Sequence, residues 1–174
     1  MSMIDQFTEE QLEMTREGVH KRGEFIQRYS GIEYSITHFL AAATRHPAYS
    51  SVGELGYSVR KKEKQFEKII SMPGPIEGYN SNLKEMYDAF ASLNEYRKFI
   101  VHGIMIGRNL SGKPVCFFSF YTHVNGVPHA SSLELSISEF DNIIERAHIL
   151  SLKVSKVVPD IVTVLMNDSD YPSE

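Results

Sequence analysis

An arginine and a histidine stand five residues apart in the stretch LNEYRKFIVHG, Leu93 to Gly103. The arginine, Arg97, carries a lasting charge and a planar fork of donors that fits a phosphate. The histidine, His102, offers an imidazole, a group that can take or give a proton. The chemistry open to such a pair is the holding of a phosphate ester and the movement of protons around it. The surrounding residues, however, read as the apolar end of a helix. A guanidinium there needs an ionic partner, a water-filled cleft or a second subunit, because burying it alone is costly.

Taken at about 100° per residue, Leu83, Met86, Tyr87, Phe90 and Val101 fall on one side of this helix, and Arg97 near the middle of that side. Asn94 joins it, with Lys98 near the edge. His102 lies about 140° further round on an ideal helix. Gly103 favours a left-handed turn at the helix end, and unwinding there would let His102 swing toward the arginine or toward the same pair on a second chain. Plainer roles stand beside these. His102 can simply meet the negative end of the helix dipole. Arg97 can pair with a carboxylate on a neighbouring helix, Glu33 being a candidate.

The segment YRKFIVHG, Tyr96 to Gly103, resembles the defining motif of the HEPN (higher eukaryotes and prokaryotes nucleotide-binding) superfamily: an Arg, four to six residues, then a His at the end of a helix in an all-helical bundle. The resemblance implies a metal-independent endoribonuclease in which the RNA's own 2′-hydroxyl attacks phosphorus. It implies catalytic roles for Arg97 and His102 and an active site at a homodimer interface; Lys98 and Asn94, beside Arg97 on the helix, are candidate substrate contacts. It further implies RNA as substrate, an antitoxin or other regulatory protein as partner, and a place in toxin–antitoxin or phage-defence systems. No metal or cofactor is implied. The alternative is a non-catalytic HEPN-like interaction or nucleotide-binding module. Two positions depart from the family pattern. The residue after the arginine is Lys98 where active members often carry Asn, Asp or His. Ile104 stands where one branch has a tyrosine that a partner enzyme modifies with AMP.

The elements that would position this pair follow from the rest of the chain. Its 174 residues suit one domain, 1–174. With 42% hydrophobic and 23% charged residues it reads as globular and not disordered. A net charge of −4 argues against a basic nucleic-acid-coating protein. A lone cysteine, Cys116, gives no internal disulfide and reads as a small apolar residue in a strand. With no signal-peptide layout and no membrane-spanning run, the expected location is the cytoplasm.

Thr8 and Gln11 have capping-box spacing at the start of a first helix. Its apolar period runs from Phe25 to Ala43, Gly18, Gly23 and Gly31 weaken it, and Pro47 sets its latest end. Ser51 and Glu54 suggest the cap of a second helix whose outer face carries RKKEK, Arg60 to Lys64, and PGP at Pro73 to Pro75 a loop. The third helix is expected over about Ser81 to Val101. Aromatic and β-branched residues with Asn125-Gly126 predict a small antiparallel sheet at about 104–137. A last helix is expected from Ser138, with Asp141 three residues on and Pro159 kinking or interrupting it. The acidic tail, about 167–174, is expected to fray. The fold class is therefore mainly α: an antiparallel helical bundle of four to five helices with a small β-hairpin insertion before the last helix. The histidines His20, His38, His46 and His148 are read as surface or packing residues, and His123 and His129 lack a ligand set.

Overall fold

A computed structural model of the chain describes residues 8–172. The protein is mainly helical. The order is α1 (Glu9–Arg45), a 3₁₀ turn (Pro47–Val52), α2 (Val59–Ile70), α3 (Asn80–His102), β1 (Ile104–Leu110), β2 (Lys113–Val124), β3 (Val127–Leu135) and α4 (Ile137–Asn167). Strands β1-β2-β3 form an antiparallel sheet in that order, between the third and fourth α-helices. No described helix is long and apolar enough to cross a membrane. Contacts divide the chain into two compact units: the residues up to Arg28 with Leu93–Ala147, and Tyr29–Ser92 with the residues from His148 onward.

In the first unit the start of α1 is a capping box. Thr8 N–H donates to Gln11 Oε1 at 2.9 Å, and Gln11 N–H to Thr8 Oγ1 at 3.2 Å. The sheet lays one face on this helix. Met105, Cys116, Phe118 and Leu135 are buried on that face, and the Phe118 ring meets Phe140 of α4 edge-on. Thr15 joins the two layers, its hydroxyl accepting the Gly107 N–H at 2.8 Å. Helix and sheet approach closely at two glycines: a Cβ at Gly18 would stand 2.7 Å from Cys116 Sγ and 2.9 Å from Met105 Sδ, and one at Gly107 2.6 Å from Gln11 O. The strands are joined by tight turns. Asn125 and Gly126 have φ of 52° and 79°, and Ser111 and Gly112 of 51° and 79°. This is the left-handed pair that a two-residue hairpin requires.

In the second unit Phe39, Phe66 and Tyr87 form an edge-on aromatic chain, and Tyr29 stacks on Phe90. His46 is buried. Its Nδ1 accepts the Ala48 N–H at 3.2 Å, while Nε2 lies 3.4 Å from Asp168 Oδ1. The Asp170 backbone N–H, and then His46, hold the Asp168 carboxyl below its usual range.

Several sequence expectations are corrected. The cap of α2 is Ser58, not Ser51: residues 47–52 form the 3₁₀ turn, and Ser58 Oγ accepts the Lys61 N–H at 3.3 Å. RKKEK is not one outer face. Lys62 turns inward, and its Nζ donates to Glu33 Oε1 at 2.9 Å. The cap of α4 is Ser136, whose hydroxyl accepts the Glu139 N–H at 3.2 Å while Glu139 Oε2 accepts the Ser136 N–H at 2.8 Å. Ser138 loses that role because the box of Ser136 and Glu139 starts the helix at Ile137, one residue before it. Pro159 does not end α4, which continues to Asn167. The three glycines expected to weaken α1, Gly18, Gly23 and Gly31, all lie within one continuous helix. The tail does not fray at Asp168 to Tyr171: Tyr171 packs near His46 and beneath Arg45. Ser173 and Glu174 lie outside the described residues, as does the side chain of His123.

Two outcomes follow. Gly18→Ala should cost about 1–3 kcal/mol by overpacking, whereas Gly31→Ala, in open space on the same helix, should gain about 0.4–1 kcal/mol; urea unfolding of both variants checks this. The Cys116 thiol is buried, and burial first, then the Glu17 carboxylate, pushes its pKa from 9.0 to about 11. The folded state thus favours the neutral thiol, a stabilisation fully present below about 9 and lost as pH rises through about 11. Native protein at neutral pH should react with a thiol reagent far more slowly than urea-unfolded protein.

Candidate functional site

Helix α3 buries Leu83, Met86, Phe90, Leu93 and Ile100, at spacings of three and four. Arg97 occupies the missing place in that stripe, four residues after Leu93 and three before Ile100. It is half-buried, as is Asn94, and both interact with neighbouring groups. Glu33, the candidate partner named from the sequence, accepts from Lys62. Lys98 is exposed and pairs with Glu95 Oε2 at 2.6 Å, and its Nζ lies 5.4 Å from the centre of the Phe99 ring. Tyr87 and Val101, expected on the apolar side, are half-buried.

The helix does not unwind before His102. It remains α-helical through that residue, and Gly103 N–H closes the final turn on Phe99 O at 2.8 Å. The expected left-handed Gly103 is corrected as well, since the left-handed glycines among the described residues are Gly53, Gly112 and Gly126. What position 103 needs is the absence of a side chain, because a Cβ would stand 2.5 Å from Phe99 O. With the helix intact, Arg97 and His102 are separated by about 140° of azimuth and about 7.5 Å of rise. The helix therefore does not aim them at one point within a single chain. His102 is exposed on the last turn.

The residue that sequence reasoning missed is Arg22 of α1. Its Nη2 donates to Val101 O at 2.7 Å and its Nη1 to Gly103 O at 3.2 Å. A cation placed on the terminal carbonyls satisfies acceptors that the helix cannot and opposes the negative end of its dipole. This is the role that the plainer reading gave to His102. One signal was present: the α1 stripe, followed back from Phe25, passes Lys21 and Gly18 and leaves Arg22 at its border.

Two clefts lie in the second unit. One of about 260 Å³ is lined by Ser30, Glu33, Tyr34, Thr37 and Lys62. The other, of about 170 Å³, is lined by small and apolar residues, Ala41, Ala42, Val162 and Met166, together with His38, Arg45 and Tyr171. Neither contains Arg97 or His102. Comparison of the chain with protein-family models, with curated proteins and with solved structures finds no match.

Arg22→Ala should cost about 1.5–3 kcal/mol, the range for hydrogen bonds to a charged group. The loss should be local first. Hydrogen exchange should speed up at the amides of the last α3 turn before it does so in α2.

Proposed function

We propose that this protein is a metal-independent endoribonuclease of the HEPN kind, folded as an antiparallel helical bundle with a β insertion. The active site lies where two copies meet, so that His102 of one chain works beside Arg97 of the other. The observation that carries this reading is the capping of α3 by Arg22. Because that guanidinium holds Val101 O and Gly103 O, the exposed imidazole of His102 is not needed to finish the helix.

The chemistry proceeds from the two side chains. Neutral imidazole removes the proton from a ribose 2′-hydroxyl, and the oxygen attacks the adjacent phosphorus. The P–O5′ bond breaks, giving a 2′,3′-cyclic phosphate and a 5′-hydroxyl, and imidazolium from the second copy returns a proton to the leaving oxygen. Arg97 steadies the charge on the non-bridging oxygens. An intact helix turns Arg97 and His102 apart within one chain, and a two-fold arrangement answers this by supplying each phosphate from two helices. Lys98 and Asn94 add contacts to the substrate backbone. An antitoxin or other regulatory protein would restrain the activity, as in a toxin–antitoxin or phage-defence system.

The test is cleavage of mixed RNA by purified protein in excess EDTA, beside His102→Ala and Arg97→Ala prepared identically. Wild-type protein should cleave, and each variant should lose about 10²–10⁴-fold of the rate, the usual share of a general acid–base group. Equal rates in all three would assign the activity to a contaminant, and no cleavage by any would end the nuclease reading.

A further inference from the structure

The sheet has two faces of different character. Met105, Cys116, Phe118 and Leu135 fill the inner one. Strand pairing sets Ile104 opposite Ser119, Ile106 opposite Phe117, Arg108 opposite Val115 and Leu110 opposite Lys113, and alternation sends these residues to the other side. On that outer face Ile104 is 76% exposed and Tyr121 73%. The Arg108 guanidinium lies over the Phe117 ring, 3.7 Å from its centre. Lys113 is exposed at the far end of the strip. Across β2, Tyr121 and Ser119 face Ala130 and Ser132 of β3, small side chains that leave the Tyr121 ring open.

We propose that this outer face is a stacking platform for single-stranded RNA, with Tyr121 and the Phe117–Arg108 pair as base-stacking positions and Lys113 as a phosphate contact. The assignment rests on the nuclease reading above and names the surface that guides its substrate. An exposed tyrosine ring on an antiparallel sheet suits an unpaired base, because every base has a π-face and stacking tolerates any sequence. A guanidinium already stacked on a ring offers a second planar surface and a charge complementary to the phosphates. Glu134 is the one acid at an outer-face position among the described residues, and it sits opposite Phe117 on β3. The basic groups lie on β1 and β2, so the strand of RNA runs along those two. The strip begins beside the candidate site. Ile104 follows His102 by two residues, about 7 Å of chain at most. From Ile104 to Arg108 is a further roughly 13 Å of strand.

A fully apolar face would instead suit a second copy of this chain. The stacked Arg108 and the exposed Lys113 favour the polyanion.

The experiment is fluorescence anisotropy of a labelled single-stranded RNA of mixed sequence, measured on full-length His102→Ala so that binding is read without cleavage. Into that background go Tyr121→Ala, Phe117→Leu and Arg108→Gln, each checked by circular dichroism. Tyr121→Ala should weaken binding roughly fivefold or more, the scale of one stacked base. Arg108→Gln should weaken it too and flatten the salt dependence. Phe117→Leu keeps the apolar volume, so a loss there reports stacking and not packing. Affinity unchanged by Tyr121→Ala and Arg108→Gln would overturn the platform. So would light scattering that shows a dimer dissolved by Tyr121→Ala, which would give the face to a second copy. The two readings fail separately. Tyr121-dependent binding without cleavage by the wild type sinks only the nuclease. Cleavage with binding indifferent to Tyr121 sinks only the platform.

Discussion

The hydrogen bonds from Arg22 to the end of α3 are the constraint on which the first unit depends. A helix that stops in mid-protein leaves carbonyls without partners. Here one guanidinium on α1 takes one of them, Val101 O, together with Gly103 O just past the helix end. The same contact fixes where the chain leaves α3 and enters β1, and so sets the first residue of the sheet. Once that exit is fixed, Thr15 can reach the Gly107 N–H and Gly18 can sit against Cys116. The position of His102 follows from the same anchor, since it is the last helical residue between the two held carbonyls.

The sheet shows how one short segment serves two environments. In β2 the even positions Cys116 and Phe118 are buried while Phe117 and Tyr121 look away from them. The inner residues give the sheet its attachment to α1 and α4. The outer residues carry less of the packing, so that Tyr121 remains exposed there while Phe117 is half-covered by the Arg108 guanidinium. Support from one face leaves the other to solvent, and strand alternation alone separates the two environments.

Local signals in the sequence carried well where one short stretch decided the outcome. Thr8 with Gln11 and Asn125 with Gly126 each behave as their types and spacing dictate. The stripe on α3, including the arginine within it, was legible as well. The failures have a common cause in competition. Ser136 stands just before α4 and Ser138 inside its first turn, and the choice between them was made by Glu139, whose carboxylate closes a reciprocal box with Ser136. Ser51 and Glu54 match a cap pattern, but the adjoining residues close into a 3₁₀ turn, and Gly53 follows at a positive φ of 82°. Arg22 acts on carbonyls some eighty positions away, and backbone acceptors leave no trace in residue types. That Arg97 and His102 could be brought together was an expectation resting on an unwound helix end, and residue spacing is silent on whether a helix end unwinds.

The two-residue turn at Asn125-Gly126 has one more consequence, for how this chain can change. It fixes β2 against β3 residue by residue, with Val124 opposite Val127 and Cys116 opposite Leu135. A single residue inserted within β2 would turn every side chain beyond it over. Phe118 would then face water and Phe117 the core. A loop extended beyond Gly126 would leave the faces alone. Length variation in descendants of this sequence should therefore gather at the hairpin tip and avoid the strand, giving the insertion a tip open to drift beside a strand whose length is locked.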